Sequence, residues 1–431
     1  MPLFLQHLAF LYPKVTFLHE INIQYRNASP LASTGLRPHD IASAIDVINS
    51  GNLTMGEQVQ KFESAMARYL GVQHFVMVNS GSSANLAIFE ALLRPAVGQP
   101  ILQPGDGVIV PAIAWPTTIW PIIQLGLKPV FVDIDPVTIG IDLTQTRNLL
   151  EKSKGKIKAV FPIHPLGRSL DNQELLKICS DFEAILINDV CESLGSWESG
   201  IHTGTNGLAG SFSFYFSHHI TTMEGGGIAT NSDQFADDLR SIRSHGWSRD
   251  RRDVSEWISD TSRNDAKFLF ITSGFNVRPM EIQAAIGISQ LRDIDVFVKR
   301  RQEIAIYISS ILSNSDYNLL GSEVFESETK QKSHSWMLMP IQAVGADPVN
   351  DRNRLLKHFE ANDIETRPVL TGNFLDQPAM KRIYKDSPDP REFPAADKTS
   401  NTTFLIGAHH DLTDLQVEFV GEKIKEIINA K

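Results

Sequence analysis

The sequence predicts an α/β fold with a mostly parallel sheet between layers of helices. Short apolar segments that suit buried strands alternate with longer segments whose apolar residues recur at helical spacing. Several predicted strands run directly into turns of small and polar residues, as expected of ligand sites beyond the carboxyl ends of parallel strands. With 431 residues, the chain is long enough for one large α/β domain and a smaller second one.

We predict three regions: an N-terminal extension of uncertain order at 1–29, a large domain at 30–298 and a small α+β C-terminal domain at 299–431. Met1 to Leu18 is fairly apolar, but its charged residues do not precede the apolar part, and no small-residue cleavage site follows. An extension is therefore favoured over a signal peptide, the alternative interpretation of this segment.

The spacing of apolar residues predicts the individual helices and strands along the chain. Amphipathic helices are predicted at Pro38 to Asn49 and Gly56 to Leu70, and a long one from about Lys299 leads into the small domain. The predicted strands of the large domain are 74–78, 107–111, 129–135, 157–163, 184–189 and 226–231. For the small domain we predict a strand at 336–341 and helices at 351–362 and 412–428.

Composition narrows the functional classes. Forty Lys and Arg residues against fifty Asp and Glu give a net charge of −10, which argues against nucleic-acid or anionic-membrane partners. The two cysteines, Cys179 and Cys191, are too few for a disulfide scaffold and fit a reducing cytoplasm. They are also too few for an all-cysteine iron–sulfur cluster, which needs four. No apolar run reaches the roughly twenty residues of a membrane-spanning helix.

A candidate anion cradle follows the first predicted strand. The turn Asn79-Ser80-Gly81-Ser82-Ser83-Ala84-Asn85 leads into an Ala/Leu-rich helix. Free backbone N–H groups and hydroxyls at the positive end of a helix dipole suit a phosphate. Taken alone, an ordinary N-cap explains the turn equally well.

Two further residues stand just beyond predicted strands. Trp115 could cover a flat ring, although a core tryptophan is the commoner case. Asp189 could pair with a protonated pyridine nitrogen and so make the ring an electron sink, although an acid at a strand end is more often a cap or loop residue.

The most informative stretch is Gly210 to Gly227, which reads G-S-F-S-F-Y-F-S-H-H-I-T-T-M-E-G-G-G. It resembles the cofactor loop of the sugar-nucleotide (DegT/DnrJ/EryC-type) branch of the fold-type I pyridoxal phosphate (PLP) aminotransferases. The similarity extends from about Pro30 to the C-terminus, and its other motifs are S-H-G-W-S-R, G-F-N-V-R-P-M-E and R-P-V-L-T-G-N-F. The resemblance implies an aspartate-aminotransferase-like fold with a seven-stranded, mostly parallel sheet.

His218 occupies the position at which that family carries its Schiff-base lysine. Imidazole cannot form the imine that tethers the cofactor, but it can move protons near neutral pH. The sequence is therefore similar to the sugar 3-dehydratases of the family that use PLP, pyridoxamine phosphate (PMP) and glutamate without an iron–sulfur cluster. The resemblance implies non-covalent cofactor binding and removal of the 3-hydroxyl from a nucleotide-linked 4-keto-6-deoxyhexose, with GDP-4-keto-6-deoxymannose favoured.

The resemblance also implies roles for individual residues. His218 and Asp189 are the expected catalytic pair, and Trp115 is expected to cover the cofactor ring. The expected phosphate ligands are Gly81, Ser82, Ser213 and, from the second subunit of a homodimer with shared sites, Asn276. Glu192 is expected at the ring hydroxyl. His219, Arg278 and Arg367 are candidates for binding glutamate or the sugar nucleotide, with structural, interface or surface roles as their alternatives. No metal ligand set is predicted.

Two other functions remain open at this point. A sugar aminotransferase could use another lysine, and a catalytically silent protein could bind the cofactor or sugar nucleotide as a sensor. The acid at Asp189 argues for retained chemistry, because a sensor has no need of an electron sink.

Overall fold

The fold is described from a computed structural model that covers residues 28–33, 35–259 and 268–430. The predicted extension at 1–29 lies outside these residues except for Ala28 and Ser29. Ser29 forms an isolated parallel bridge with Ile364 in the C-terminal half of the chain.

The larger sheet has seven strands in the order β1-β9-β8-β5-β4-β2-β3. Four of its six strand pairs are parallel, and only β9 runs antiparallel to both of its neighbours. The predicted mostly parallel, seven-stranded sheet is thus confirmed. Its strands are β1 His74–Val78, β2 Gly107–Pro111, β3 Lys128–Val132, β4 Ile157–Val160, β5 Ile185–Asp189, β8 Ala209–Ser213 and β9 Gly226–Thr230. The short strands β6 Trp197–Glu198 and β7 Ile201–His202 pair with each other.

Helices cover this sheet, and polar side chains at their starts satisfy free N–H groups. Ser80, Asp142, Asp171 and Ser232 each accept a hydrogen bond from the backbone N–H three residues further on. The helices are α1 Pro38–Ser50, α2 Glu57–Leu70, α3 Gly81–Leu93, α4 Pro116–Gln124, α5 Leu143–Ser153, α6 Asn172–Asp181, α7 Asp233–Ile242, α8 Val254–Ser259 and α9 Glu281–Leu291.

A second, antiparallel sheet with the strand order β10-β11-β13-β12 lies in the C-terminal part. The remaining elements are α10 Ile294–Leu312, β10 Tyr317–Leu319, α11 Glu328–Gln331, β11 Leu338–Ala343, α12 Pro348–Ala361, β12 Thr366–Arg367, α13 Pro378–Ile383, α14 Pro394–Thr402, β13 Thr403–Gly407 and α15 Asp414–Asn429. Helix α10 continues through the predicted domain boundary at residue 299, and the division into domains stays a prediction.

The two sheets are joined at a backbone contact beside Gly167. This residue has a φ of +101°, and a Cβ there would lie 2.4 Å from the backbone nitrogen of Trp336. On either side, Ser335 N donates to Gly167 O at 2.7 Å and Met337 N donates to Leu166 O at 2.9 Å. Only glycine fits both the dihedral angle and the space, so this contact fixes the second sheet against the first.

No helix in the described part of the chain is both long and apolar enough to cross a membrane.

Several buried histidines have hydrogen bonds that require a neutral ring. His164 accepts from Leu170 N at Nδ1 and lies 3.0 Å from Asn188 Oδ1 at Nε2. His202 accepts from Gly195 N at Nε2 and contacts Thr203 O at Nδ1. Each ring therefore uses one nitrogen as acceptor and the other as donor. Burial lowers the pKa of both histidines to about 4.

We expect the free energy of unfolding to fall as the pH decreases from 6.5 towards 4. In that window the unfolded chain binds protons that the folded rings do not accept, and each such histidine accounts for up to about 3 kcal/mol. Urea unfolding between pH 7 and 5 measures the effect. His202→Gln should reduce the pH dependence, with the same substitution at the half-exposed His39 as the surface control. Equal stability at pH 7 and pH 5 would contradict this account.

Candidate active site

A cavity of about 280 Å³ lies at the carboxyl ends of the parallel strands. Its walls come from the segments that follow β1, β2, β5 and β8, and from the second sheet. The lining residues include Gly81, Ser82, Trp115, Asp189, Glu192, Ser213, His218, Met337, Arg367 and Leu370. The position beyond the strand ends is the one expected for this class of sheet.

The start of helix α3 forms one end of the cavity. Ser80 caps the helix by accepting a hydrogen bond from Ser83 N at 3.1 Å, and Ser82 Oγ donates to Thr117 Oγ1 at 3.0 Å. A Cβ on Gly81 would lie 2.6 Å from Ser213 Cβ and 2.8 Å from Cys191 Sγ. The predicted phosphate ligands Gly81, Ser82 and Ser213 therefore lie together, at the positive end of a helix dipole.

Strand β9 packs directly on this turn. A Cβ on Gly226 would lie 2.3 Å from the carbonyl carbon of Ser80 and 2.4 Å from the backbone nitrogen of Gly81. The glycines after His218 in the sequence thus allow a backbone-to-backbone approach that no larger residue permits.

Asp189 is the last residue of β5 and is 4% exposed. Its Oδ2 accepts hydrogen bonds from Asn85 Nδ2 at 3.0 Å and from Thr118 Oγ1 at 2.8 Å, and its Oδ1 accepts from Cys191 N at 3.1 Å. Donors that favour the charged form compensate for the loss of water around a buried carboxylate. Sequence analysis did not assign Asn85 and Thr118, although Asn85 ends the turn that it singled out and Thr118 lies three residues after Trp115.

Glu192 lies three residues further on and also lines the cavity. Its Oε2 accepts a hydrogen bond from Leu166 N at 2.8 Å. Burial raises the pKa of the Glu192 carboxyl, and the positive charge of Arg367 opposes that change.

Trp115 immediately precedes helix α4, and 49% of its surface is exposed. It lines the cavity rather than the core, so the alternative of a core tryptophan is wrong.

His218 lies in the loop between β8 and β9, where its backbone N–H donates to Tyr215 O at 3.0 Å. The imidazole is half-buried and lines the same cavity as Asp189. Its enclosure by protein lowers the pKa of His218 to about 4, and the positive charges of Arg367 and Arg301 act in the same direction. The ring is therefore neutral at pH 7 and able to accept a proton.

The other predicted residues divide into two groups. Arg367, at the end of β12, lines the cavity. Asn276 and Arg278 are exposed and do not line it; Arg278 Nε donates to Asn276 Oδ1 at 3.1 Å.

His219 does not line this cavity either, and it is 1% exposed. Its Nε2 lies 3.1 Å from Ser335 O, and burial lowers its pKa well below the usual value. Its ring contacts the backbone behind the cavity wall, which favours the structural alternative for His219 over substrate binding.

None of the residues that line the cavity in the described part of the chain is a lysine. Within residues 28–33, 35–259 and 268–430, no cluster of histidine, cysteine and acidic side chains could hold a metal ion.

Known proteins resemble this chain along most of its length. A GDP-4-keto-6-deoxy-D-mannose 3-dehydratase of Yersinia pseudotuberculosis is 34% identical over 402 residues, which are 93% of this chain and 97% of the relative. The crystal structure of a GDP-4-keto-6-deoxymannose-3-dehydratase variant with bound GDP-perosamine matches with a TM-score of 0.82 and 32% identity, covering 92% of this chain and 100% of that one. A crystal structure of such a dehydratase with a trapped PLP–glutamate geminal diamine matches with a TM-score of 0.79 and 31% identity, over 92% and 100% of the two chains.

These similarities confirm the predicted aspartate-aminotransferase-like fold. The model of the DegT/DnrJ/EryC1/StrS aminotransferase family matches residues 36–425. The chain belongs to this family.

Proposed function

We propose that this chain is a PLP- and glutamate-dependent 3-dehydratase of a nucleotide-linked 4-keto-6-deoxyhexose. One observation carries the proposal: His218 lines the cavity, and none of the described residues that line it is a lysine. The relatives named above act on GDP-4-keto-6-deoxymannose, which makes this sugar nucleotide the favoured substrate.

The cavity fits PLP or PMP. Gly81, Ser82 and Ser213 form a cradle for the phosphate, and the half-exposed indole of Trp115 can cover the ring. The buried carboxylate of Asp189 suits the pyridine nitrogen, and Glu192 suits the ring hydroxyl. When bound, the cofactor supplies an electron sink and carries the amino group that glutamate provides.

His218 is the proton carrier of the proposed reaction. As a neutral imidazole it removes a proton from the cofactor's exocyclic carbon and returns one to the 3-hydroxyl oxygen as that group leaves. Asp189 keeps the ring nitrogen protonated throughout. The overall change converts the ketosugar and glutamate into the 3-deoxy ketosugar, 2-oxoglutarate and ammonia, so that the two electrons gained by the sugar come from glutamate.

Arg367 is the proposed anion ligand on the cavity wall. Its guanidinium makes no hydrogen bond or ion pair with the described residues, so it is available to a carboxylate or a diphosphate. Glutamate and the sugar nucleotide both carry such groups.

We also propose a homodimer in which Asn276 and Arg278 serve the partner's cavity. Both side chains are exposed, outside the cavity of their own chain. The neighbouring Phe268 and Phe270 are 67% and 52% exposed and lie against Trp247. Exposed aromatic side chains next to polar groups are typical of interfaces. The free cysteines Cys179 and Cys191 fit a cytoplasmic location.

His218→Asn should abolish loss of the 3-hydroxyl and leave cofactor binding intact. Asparagine fills similar space but cannot carry a proton, and loss of a general acid–base group lowers rates by about 10²- to 10⁴-fold. Incubation with PLP, glutamate and a panel of 4-keto-6-deoxy sugar nucleotides, followed by mass spectrometry of the sugar, measures the reaction. His358→Asn, on the distant helix α12, is the control. Full turnover by His218→Asn would refute the proton-carrier role.

Borohydride reduction of the PLP-loaded protein should leave no lysine peptide with an attached pyridoxyl group. No described lysine lines the cavity, so the cofactor aldehyde stays free of the protein. Peptide mapping by mass spectrometry gives the answer. A reduced PLP–lysine would instead identify an aminotransferase that uses a different lysine.

If the sites are shared, a mixture of His218→Asn and Asn276→Ala should be more active than the two variants measured separately. A mixed dimer then has one cavity in which both residues are native, and statistical exchange of subunits returns about a quarter of wild-type activity. Activity is measured after co-refolding or co-expression of the two variants. No recovery in verified mixed dimers would show that Asn276 acts within its own chain.

A further inference from the structure

Arg301 of helix α10 is a buried cation at the back of the cavity. It is 1% exposed and lies within the seam between the two sheets. Its Nη1 donates to Trp336 O at 3.1 Å and to Met337 O at 2.9 Å, and its Nη2 makes a long contact of 3.5 Å with His218 O. Its hydrogen-bond partners among the described residues are thus backbone carbonyls rather than carboxylates.

Those carbonyls belong to residues that shape the cavity. His218 and Met337 both line it, one from the β8–β9 loop and the other from the start of the second sheet. A planar guanidinium can hold several acceptors in fixed directions, which an ammonium group cannot do. One side chain therefore joins the two segments behind the proposed proton carrier.

Arg301 also supplies charge. Burial lowers its pKa to about 10, so it remains a cation at pH 7. The charged and titratable groups around His218 are Arg367, Asp189, Glu192, Glu224, Cys191 and Tyr215 in the cavity, His219 on its own loop and Arg301 behind it. Behind Arg301 lie His409, His410 and Asp411, whose carboxylate opposes the effect of burial on the arginine.

We propose that Arg301 is a positioning residue for His218, which fixes the His218 loop against residues 336–337 and places a permanent positive charge behind the imidazole. The catalytic part of this inference rests on the proposed function. The lowered pKa of His218 agrees with this placement. Burial is the main cause of the lowering, and the positive charges of Arg367 and Arg301 lower the pKa further. A histidine kept neutral down to low pH is always ready to act as a base.

The effect of the charge can be measured without cofactor or substrate. Diethyl pyrocarbonate reacts with neutral imidazole, and peptide mass spectrometry resolves its rate at His218 as a function of pH. In the wild-type protein this rate should stay near its maximum down to pH 5, because the pKa is about 4. In Arg301→Gln the rate at pH 5 should fall below the wild-type rate at that pH, because loss of one of the positive charges that lower the pKa of His218 raises that pKa.

Arg243 provides the matched control. It is 4% exposed and donates to Glu63 Oε1 and to Met77 O, on the large sheet away from the cavity. Arg243→Gln removes a buried guanidinium without removing charge from behind His218, so its modification profile should follow that of the wild type. Coincidence of the Arg301→Gln profile with the wild-type profile would overturn the proposal.

Arg301→Lys separates position from charge and serves as the second test should the glutamine variant fail to fold. Lysine keeps the positive charge but lacks the planar guanidinium that holds several carbonyls at once. The pH profile of His218 modification should therefore be retained, while dehydratase turnover falls at least about tenfold. Wild-type turnover by Arg301→Lys would overturn the positioning role. His218→Asn tests the proposed function separately, since the modification profile needs no turnover.

Discussion

The active site depends on a backbone-to-backbone contact between strand β9 and the first turn of helix α3. Gly226 lies so close to Ser80 and Gly81 that a single added carbon would overlap the peptide group. Gly81 in turn leaves no room for a side chain beside Ser213 and Cys191. Because of this packing, the helix N-terminus, the end of β5 and the His218 loop enclose one small volume.

Within that volume, enclosure has opposite effects on the pKa values of the acid Glu192 and the base His218. Loss of water raises the pKa of Glu192 and lowers that of His218, because the charged form is disfavoured in both. Three donors are directed at the carboxylate of Asp189, which lines the same cavity. The arrangement thus combines a carboxylate with fixed hydrogen bonds and an imidazole free to accept a proton, as proton transfer on a pyridine cofactor requires.

The second sheet completes the cavity and links catalysis to the packing of the whole chain. Met337, Arg367 and Leu370 come from that sheet and its loops, and the contact at Gly167 sets its position. Arg301 bridges the same seam from helix α10. Movement of this seam would change the distance between His218 and Arg367, the proposed anion ligand.

Local patterns in the sequence were sufficient for most elements of the larger sheet. The bounds predicted for β1 and β2 agree with the structure, since a short apolar segment between turns is a local signal. The resemblance implied that Gly81, Trp115, Asp189 and His218 belong to one site, and the rule that residues beyond the ends of parallel strands meet at one edge agrees with it. The family resemblance supplied the meaning of a histidine in place of lysine.

Other features needed the folded chain. The donors Asn85 and Thr118 reach Asp189 only because α3 and α4 pack beside β5, and no periodicity encodes that neighbourhood. His219 carries the same side chain as His218, yet it faces Ser335 instead of the cavity. In the sequence, Arg301 cannot be distinguished from other arginines of an amphipathic helix. Its burial is a result of the packing of the second sheet against helix α10. Such contacts join residues far apart in the chain, so their energies arise from tertiary packing and leave no trace in local composition.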